Sequence, residues 1–540
     1  MEKYLLHVLF CLCVALPSLA QQANKEIPTD WFLRDPEQDS LQGVSAERVY
    51  QTLLKEQPSK TVIVAVIDSG VDIDHEDLKS VIWINEKEIA DNGIDDDKNG
   101  YVDDVHGWNF IGGKNGNVEA DSYELTREFI RLNKKFASID TNKITRKQKS
   151  EYLNFMKIKT KYLALKAKNE QQYKLYSTLY SNLSQSVDTL KAILKTDTLN
   201  AEQVKNFQTS DVTLLFAKGF VLNIFRNLGD DANVEQYVAG VKEGVDYYGV
   251  IVKYGYNQNY DSRKIVGDHY ENPYELGYGN NDVKGPDPSH GTHVAGIIAA
   301  DRKNNIGIKG IADNVKIMVI RAVPNGDERD KDIANSIIYA VNNGAKIINM
   351  SFGKSFSPEK EAVDKAVSYA EQKGVLLIHA AGNESDNIDI DKNFPTKIYL
   401  NGKEAKNWIE VGASAWGANE EFVGSFSNYG KKSVSLFAPG VDVYSTVPGN
   451  KYKNESGTSM ASPITVGVAA LLLSYFPELS ALQLKDILLK STRKFDNLKV
   501  VKPGSKEEIL FSDLSISGGL INAYEAVKMT KSMTRASIKK

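Results

Sequence analysis

Residues 61–70 read TVIVAVIDSG, a continuous apolar run that ends in Asp68, Ser69 and Gly70. A short apolar run that ends in turn-forming residues is typical of a strand buried on both faces. Four more apolar runs follow, with helical patterns between them. The runs lie at 315–320, 345–350, 375–380 and 409–413, and the helical patterns at 332–342 and 358–373. Strands that alternate with helices predict an α/β fold, in which a mostly parallel sheet is flanked by helices.

The composition is that of an ordinary globular protein. Of the 540 residues, 42% are hydrophobic and 25% are charged, which argues against a disordered or fibrous chain. The 66 basic and 70 acidic side chains leave a net charge of −4, so no basic excess indicates nucleic acid as a partner. The length allows more than one domain.

Residues 1–20 are predicted to be a signal peptide. A lysine precedes an apolar run at 5–16 that is too short to span a bilayer well, and small residues precede a cleavage site after Ala20. The alternative is a membrane anchor. Both cysteines, Cys11 and Cys13, lie in this segment, so the mature chain is expected to have no disulfide. We expect a secreted or periplasmic protein, and no later segment is predicted to be long and apolar enough to span a membrane.

A segment at 111–280 departs from the alternating pattern. Between 118 and 256 it contains no proline and is rich in Lys, Leu, Tyr, Asn and Gln. Helical periodicity is clearest at 152–165, 211–228 and 234–252. We therefore predict an inserted all-helical subdomain at 111–280, which interrupts an α/β domain formed by 21–110 and 281–540. Both ends of the insertion should lie near the carboxyl edge of the sheet, where it would gate or extend a cleft.

Four short motifs contain polar residues of the kinds that hydrolases use. Asp68 ends the first apolar run, His290 lies in SHGTHVAG, Ser459 in GTSMASP and Asn383 in AAGNES. Taken singly, each has a structural interpretation, as a turn or cap residue, a structural histidine or a helix N-cap. Together, in separate glycine-rich segments of an α/β chain, they favour a catalytic site.

The surroundings of Ser459 suit a nucleophile. Small neighbours allow a hydroxyl group to approach a substrate backbone, and Pro463 fits the first turn of a helix. The N–H groups and the dipole at a helix N-terminus favour a developing negative charge. The side-chain amide of Asn383, which follows a buried strand and a glycine, can donate a hydrogen bond to the same charge.

With these motifs the chain resembles the subtilisin-like serine proteases. The likeness covers about 21–110 and 281–530, and includes LFAPGVDVYSTVPGNKYKNESGTSMASP, FSNYG at 426–430 and GGLINAYEAV at 518–527. The resemblance implies a subtilisin-like three-layer fold and a secreted serine endopeptidase that hydrolyses peptide bonds of proteins, with no cofactor required for the chemistry. Proteins or peptides are then the expected partners, without nucleic acid and without stable membrane insertion.

The resemblance also implies roles for single residues. Asp68, His290 and Ser459 match the family's catalytic triad, which has this order along the chain, and Asn383 matches its oxyanion donor. His293 looks like the family's second histidine, which we interpret as structural.

The expected substrate cleft follows from the same resemblance. The substrate-binding strand corresponds to Ser351, Phe352 and Gly353, and the opposite wall includes Ala381 and Gly382. The strand backbone should pair with an extended peptide, and Phe352 should form an apolar wall of a subsite. Glu384 has two interpretations. It favours basic or polar substrate side chains at the rim of the pocket, or it is a solvated surface acid. We expect broad cleavage with a preference for apolar residues at the cut.

An acidic loop at 91–104 reads DNGIDDDKNGYVDD. Its side chains place oxygen atoms at positions 1, 3, 5 and 9 of a calcium-loop pattern, at Asp95, Asp97, Asn99 and Asp103. Position 12 is His106 and not a bidentate glutamate, which excludes an EF-hand. The loop is therefore either a structural Ca²⁺ site or an acidic loop rich in turns.

Two other classes of protein remain as alternatives. A catalytically silent or zymogen-like binding protein would keep the fold and hold a partner with the helical insertion. A different residue in place of Ser459 or His290 would indicate a silent protein of this kind. An esterase or lipase would use a G-x-S-x-G motif and the order Ser, Asp, His. Here the serine lies in GTSMA and the order is reversed.

Overall fold

A nine-stranded sheet forms the centre of the computed structural model, which describes residues 27–141 and 144–538. The strands are β1 Val62–Asp68, β2 Gly107–Asn109, β3 Gly112–Gly113, β4 Gly116–Asn117, β5 Val315–Arg321, β6 Ile347–Met350, β7 Leu376–Ala380, β8 Trp408–Ser414, β9 Leu436–Pro439, β10 Val443–Val447, β11 Lys451–Glu455, β12 Arg493–Lys494, β13 Lys499–Val501, β14 Glu508–Leu510 and β15 Gly519–Leu520. The predicted signal peptide at 1–20 lies outside the described residues.

The sheet order is β12–β15–β9–β8–β7–β6–β1–β5–β2. All neighbouring pairs are parallel except β12 with β15. The strands predicted from the five apolar runs are confirmed as β1 and β5–β8. Three further pairs, β3–β4, β10–β11 and β13–β14, are separate two-stranded sheets.

Fourteen α-helices belong to the described residues. They are α1 Pro36–Asp39, α2 Ala46–Arg48, α3 Glu124–Phe136, α4 Arg146–Leu194, α5 Ala201–Asn206, α6 Val212–Leu228, α7 Val234–Val250, α8 Arg263–Val266, α9 Ser289–Ala299, α10 Asp330–Asn342, α11 Lys360–Gln372, α12 Thr458–Tyr475, α13 Ala481–Lys490 and α14 Ala523–Ile538. Short 3₁₀ or π turns add Trp31–Leu33, Val49–Leu53, Ile251–Gly255 and Phe511–Asp513.

Alternate side chains of β1 enter two different cores. Val64 and Val66 lie in the core shared with α9 and α12, whereas Ala65 and Ile67 lie in the core shared with α10 and α11. This alternation follows from the two-residue period of a strand. Because helices cover both faces, the run is apolar throughout. The predicted α/β fold with helices on both sides of a mostly parallel sheet is confirmed.

Helix α12 lies in the middle of one helical layer. It is long and apolar enough to cross a membrane by length and composition, and 83% of it is buried inside the fold. The expectation that no segment after the N-terminal run would meet this test is therefore wrong. The reason is packing: α12 contacts β6, β7, β8 and α9, and a helix covered on all sides is apolar all round.

Helices α3–α7 occupy most of the predicted insertion. The longest, α4, has 49 residues and extends about 74 Å at 1.5 Å per residue. It begins with a capping box between Thr145 and Gln148. Its first half packs against α3 and its second half against α5–α7. The predicted helices at 211–228 and 234–252 are confirmed as α6 and α7, whereas the periodicity at 152–165 marks only one buried part of a much longer helix.

The two ends of the predicted insertion meet beside the sheet. Asn109, the last residue of β2, and Asn280 exchange backbone hydrogen bonds of 2.9 and 3.1 Å. The chain therefore leaves the α/β body and returns to it at one place, next to β5.

Buried ion pairs tie the start of the insertion to the α/β body. The ammonium group of Lys354 lies 2.9 Å from Glu124 of α3 and 2.8 Å from Asp330 of α10. Burial alone would raise the pKa of Glu124, but the charges of Arg127 and Lys354 outweigh it and hold that pKa well below its usual range. The first helix of the insertion is thus fixed by charge as well as by packing.

Candidate active site

The carboxyl edge of the sheet brings together the residues singled out from the sequence. Asp68 is the last residue of β1, Ser351 follows β6 directly, and Asn383 comes three residues after β7. His290 and Ser459 are the second residues of α9 and α12. Ligands of open α/β sheets bind beyond this edge, so the site occupies the expected position.

The Asp68 carboxylate holds the His290 imidazole by a short hydrogen bond. Nδ1 of His290 lies 2.7 Å from Oδ1 of Asp68, and the same oxygen accepts the N–H of Ser69 at 2.7 Å. Asp68 is 2% exposed, whereas the His290 side chain is 37% exposed. A carboxylate on Nδ1 leaves Nε2 as the unprotonated nitrogen of the neutral ring, so Nε2 can act as a base.

Gly291 allows α9 to approach β1 this closely. A Cβ atom at Gly291 would lie 2.2 Å from the carbonyl oxygen of Gly70 and 3.1 Å from Cβ of Asp68. Any side chain would therefore push His290 away from Asp68. The glycine that follows the histidine in SHGTHVAG is required by this contact.

Charges around the imidazole favour its protonated form. Burial lowers the pKa of His290, but the negative charges of Asp68, Glu455 and Asp287 outweigh the burial, and the pKa rises to about 9. In the unliganded protein His290 is therefore neutral, and able to accept a proton, chiefly at alkaline pH.

The Ser459 side chain faces the end of β6. Its hydroxyl donates to the carbonyl oxygen of Ser351 at 3.2 Å, and the Ser351 hydroxyl donates to the carbonyl oxygen of Ser459 at 2.9 Å. Ser351 is itself held by Asn349, whose Nδ2 donates to Ser351 Oγ at 3.0 Å. Within the described part of the chain, Ser459 Oγ makes no hydrogen bond to His290 and is bonded to Ser351 instead.

Asn383 is oriented by the first residue of α12. Its Oδ1 accepts the N–H of Thr458 at 2.9 Å and the Thr458 hydroxyl at 3.0 Å, so the amide Nδ2 is left to donate elsewhere. The Cβ position of Gly457 would lie 3.6 Å from both Asn383 Nδ2 and the backbone nitrogen of Ser459. The two donors therefore border one space, in which a negative oxygen would accept from both.

Asn428 braces the loop that carries Asn383, a role that sequence reasoning missed. Its Oδ1 accepts the N–H groups of Glu384 at 3.1 Å and Asp386 at 2.7 Å. Its Nδ2 donates to the carbonyl oxygen of Ala381 at 2.8 Å and to the Glu384 carboxylate at 2.7 Å. In the sequence, Asn428 is only part of FSNYG, and no local signal relates it to a loop 44 residues earlier.

His293 lies one turn after His290 on α9 and is buried. One ring nitrogen, Nε2, lies 3.1 Å from the carbonyl oxygen of Lys453. Burial lowers the pKa of His293 to about 4, so the ring is neutral at physiological pH. The contact joins α9 to β11, as the structural interpretation from the sequence requires.

The predicted substrate-binding strand follows β6 along the same edge. Ser351 and Ala381 are buried. Phe352 is 9% exposed, and its ring meets His379 edge-on at a centroid distance of 6.1 Å. Most of this ring therefore lies in the core beneath the cleft, and its contribution to a subsite wall stays a prediction.

Two glycines of the predicted cleft have close neighbours. A Cβ atom at Gly353 would lie 2.2 Å from Oδ1 of Asn393, and one at Gly382, where φ is +103°, would lie 2.3 Å from Nδ2 of Asn428. Larger residues at either position would displace the asparagines that line this part of the cleft.

The acidic loop forms a cluster that differs from the predicted set. Asp95 and Asp97 lie with Glu88, and one carboxylate oxygen of each is within 4.8 Å of the others. Glu88 precedes the loop that the sequence pattern marks, so that pattern could not include it. Three carboxylates of this kind suit a hard cation such as Ca²⁺.

The other two predicted ligands use their side chains within the loop. Nδ2 of Asn99 donates to Asp104 at 3.0 Å. The Asp103 carboxylate accepts the N–H groups of Asn92 at 3.1 Å and Gly93 at 2.9 Å. Asp95 and Asp97 likewise accept the N–H groups of Asn99 and Gly100 within the loop, so the metal assignment of all four predicted ligands stays a prediction.

Comparison with known proteins agrees with this geometry. The model of the subtilase family, Peptidase_S8, matches residues 59–508. The thermophilic serine proteinase of Bacillus sp. (strain AK1) is 40% identical over 241 residues, which are 44% of this chain and 52% of that protein. Subtilisin DY of Bacillus licheniformis is 40% identical over 203 residues, 37% of this chain and 68% of that protein.

A third relative is more completely covered. Thermitase of Thermoactinomyces vulgaris is 34% identical over 240 residues, 44% of this chain and 75% of that protein. The matched stretch thus spans about half the length of the first relative and more of the other two. The first of these relatives is named as a serine proteinase and the second as a subtilisin.

Proposed function

The chain belongs to the subtilase family, and on that premise we propose that it is a secreted serine endopeptidase with Asp68, His290 and Ser459 as its catalytic triad. The observation that carries this proposal is the 2.7 Å bond between His290 and Asp68 at the carboxyl edge of the sheet, with Ser459 at the start of the neighbouring helix. Residues 1–20, outside the described part of the chain, are the ground for proposing secretion.

Acylation begins at the Ser459 hydroxyl, which is a weak nucleophile until a base removes its proton. When a peptide binds, Ser459 Oγ turns from the Ser351 carbonyl oxygen to Nε2 of His290, and such catalytic contacts often tighten only with substrate present. Oγ then attacks the peptide carbonyl carbon while His290 takes the proton. Asp68 holds the ring in the required tautomer and stabilises the imidazolium.

The tetrahedral intermediate carries a negative oxygen beside α12. Asn383 Nδ2 and the N–H of Ser459 border the same space and would both donate to that oxygen. His290 then returns its proton to the leaving amine, and the acyl group stays on Ser459. Water, activated by His290, hydrolyses this acyl-enzyme and restores the serine.

An extended peptide would reach Ser459 between two chain segments. The backbone of 351–353 supplies one edge for β-augmentation, and Ala381 with Gly382 forms the other side. Helices α3–α7 of the insertion at 111–280 are proposed to form a helical subdomain that borders this cleft, whereas β3 and β4 of the same segment form a two-stranded sheet. The silent-binding alternative is not favoured, because nucleophile and base are both present.

A structural Ca²⁺ ion, held by Glu88, Asp95 and Asp97, is part of the proposal. The ion would stabilise the loop and take no part in the chemistry. A chelator should lower the thermal unfolding midpoint of the wild type, and added Ca²⁺ should restore it. The Asp95→Asn/Asp97→Asn variant should lack both responses, and a wild type that ignores chelator and Ca²⁺ alike would remove this part of the proposal.

The function is tested by casein hydrolysis with purified wild type beside Ser459→Ala. We expect cleavage by the wild type and none by the variant, with equal thermal midpoints for the two. Equal rates would mean that the activity belongs to a contaminant or to another residue. A folded wild type that cleaves nothing would favour a silent or zymogen-like protein.

A further inference from the structure

We propose that the helical insertion completes a substrate subsite that selects a basic side chain, Lys or Arg, on the amino-terminal side of the cleaved bond. The inference rests on the proposed endopeptidase function and names the substrate class of that site. A cavity of about 290 Å³ lies where the insertion meets the two loops of the proposed cleft. Gly353 and Glu384 line it from the α/β body, and Tyr123, Lys161 and Tyr256 line it from the insertion.

The cavity begins beside the reacting groups. Gly353 is two residues from Ser351, whose carbonyl oxygen accepts the Ser459 hydroxyl at 3.2 Å. Glu384 directly follows Asn383, the proposed oxyanion donor. The side chain of a substrate residue bound next to Ser459 therefore lies within reach of the cavity.

The charges that line the cavity favour a cation. Asp327, Glu384, Asp386 and Asp391 supply four carboxylates, against three lysines. One of these lysines, Lys354, is engaged in the buried ion pairs described above, and its side chain is 1% exposed. Burial raises the pKa of Asp327 only to about 6, so this carboxylate is mostly charged at neutral pH and above. The lining that remains accessible carries more negative than positive charge.

Aromatic rings supply walls for the stem of a long basic side chain. The rings of Tyr123 and Tyr256 lie 5.1 Å apart, and Phe356 also lines the cavity. Tyr256 and Asp327 line the same cavity, and burial together with the charge of Asp327 raises the pKa of Tyr256 to about 12. Methylene stems of Lys and Arg pack on such rings, and their charged heads are attracted to ring faces and carboxylates.

Lys161 of α4 would compete with a basic substrate side chain for the carboxylates of the cavity. Its ammonium group lies 5.9 Å from the centre of the Phe356 ring. Burial and the Asp391 charge raise the pKa of Asp386, and the Lys161 charge partly offsets them. Removal of the Lys161 charge should therefore strengthen the attraction for a basic substrate side chain, whereas removal of the Asp386 charge should weaken it.

The test is hydrolysis of internally quenched peptides by the full-length protein, with Lys, Arg, Leu or Glu at each of the four positions amino-terminal to the cut. At one or more positions we expect kcat/KM for Lys or Arg to exceed that for Glu by about tenfold or more. Lys161→Met should raise the basic-to-Leu ratio about two- to fivefold, and Asp386→Asn should lower it by a similar factor.

Matched controls separate this effect from general charge and from misfolding. Lys174→Met removes the same charge about 20 Å further along α4 and should leave the ratio unchanged. Asp391→Asn tests the same prediction as Asp386→Asn if that variant fails to fold. The inference would be overturned by a wild type whose kcat/KM does not depend on charge at any of the four positions. It would also be overturned if Lys161→Met and Asp386→Asn shifted the basic-to-Leu ratio in the same direction. In either case, cleavage of the peptides would still support the proposed endopeptidase function. A wild type that cleaves no peptide would contradict both the inferred subsite and the proposed endopeptidase function.

Discussion

The imidazole of His290 and the carboxylate of Asp68 meet at 2.7 Å, at the junction between the first turn of α9 and the end of β1. The two residues are 222 positions apart, because the whole helical insertion lies between them in the chain. Gly291 permits the contact, and among the residues that the structure describes none makes a hydrogen bond to Nε2 of the ring. The halves of the α/β body that the insertion separates in sequence therefore join at the base of the proposed triad.

Asp68→Asn should reduce kcat about 10⁴-fold with little change in fold, because an amide favours the wrong tautomer of His290 and cannot stabilise the imidazolium. Steady-state hydrolysis of a chromogenic peptide measures the loss, and circular dichroism checks the fold. Asp74→Asn, at an acid whose side chain is 83% exposed, is the matched control and should keep full activity. A variant within tenfold of the wild type would show that Asp68 does not serve His290.

In the pH profile of kcat/KM, the midpoint of the acidic limb should lie well above pH 6.5. His290 must be neutral to act as a base, and the surrounding negative charge raises its pKa to about 9, so activity should rise with pH through that region. Glu455→Gln removes one of the charges that raise this pKa and should move the limb to lower pH. A limb at or below pH 6.5 in the wild type would contradict the electrostatic account of the site.

Asn383→Ala should lower kcat about 10²- to 10³-fold with a small effect on KM, because the amide donates mainly to the oxyanion. That magnitude comes from subtilisin itself, a member of this family. The matched control is Asn387→Ala, in the same loop and outside the space bordered by Ser459. A large change in KM with kcat unchanged would assign Asn383 to ground-state binding of the peptide.

Asn428→Ala should lower kcat by up to about 100-fold, because loss of the brace lets the Asn383 loop shift from its productive position. Asn428 touches no reacting atom, so it is a positioning residue. Affinity for a peptide aldehyde, whose adduct with Ser459 carries the oxyanion, should fall in parallel with kcat. A lower unfolding midpoint with unchanged kcat and unchanged aldehyde affinity would show a purely structural role.

Lys354→Met should destabilise the protein by about 3–5 kcal/mol, because it leaves the buried carboxylate of Asp330 without its ion-pair partner and leaves Glu124 with Arg127 alone. Denaturant unfolding measures the change, and Lys174→Met on the exposed face of α4 is the control. Adding Glu124→Gln should recover part of the loss. A Lys354→Met variant as stable as the wild type would show that the pairs contribute nothing.

Lowering the pH should weaken the ion pairs that connect α3 to the α/β body. The folded-state pKa of Glu124 lies below its ordinary value of 4.5, so its ionised form stabilises the fold above about pH 4.5 and this contribution is lost as pH falls. Stability of the wild type should therefore drop on acidification more steeply than that of the Lys354→Met/Glu124→Gln variant. Parallel curves for the two proteins would contradict this assignment.

Local patterns were enough to predict the main elements and the polar residues at their ends. The apolar run before Asp68 became β1 because alternate side chains of this strand meet helices on both faces. Helices α6 and α7 were predicted from their apolar periodicity, and the structure shows a polar N-cap at each, Asp211 and Asn233. Patterns of this kind need only neighbours in sequence.

Contacts between distant segments could not be predicted in the same way. Lys354 meets Glu124 across 230 positions and Asn428 meets Glu384 across 44, and neither pair has a spacing rule. Glu88 joins Asp95 and Asp97 only because the chain folds back before the acidic loop. These contacts depend on the packing of the insertion and loops, which periodicity does not encode.

The central claim is that Ser459 is a nucleophile activated by His290, and covalent labelling tests it most directly. The purified wild type would be treated with a fluorophosphonate, digested and mapped by mass spectrometry, beside Ser459→Ala and His290→Ala. We predict one phosphonylated residue, Ser459, in the wild type, no label in Ser459→Ala, and labelling slowed by orders of magnitude in His290→Ala. Label at another serine, or equal labelling rates in the wild type and His290→Ala, would contradict the account.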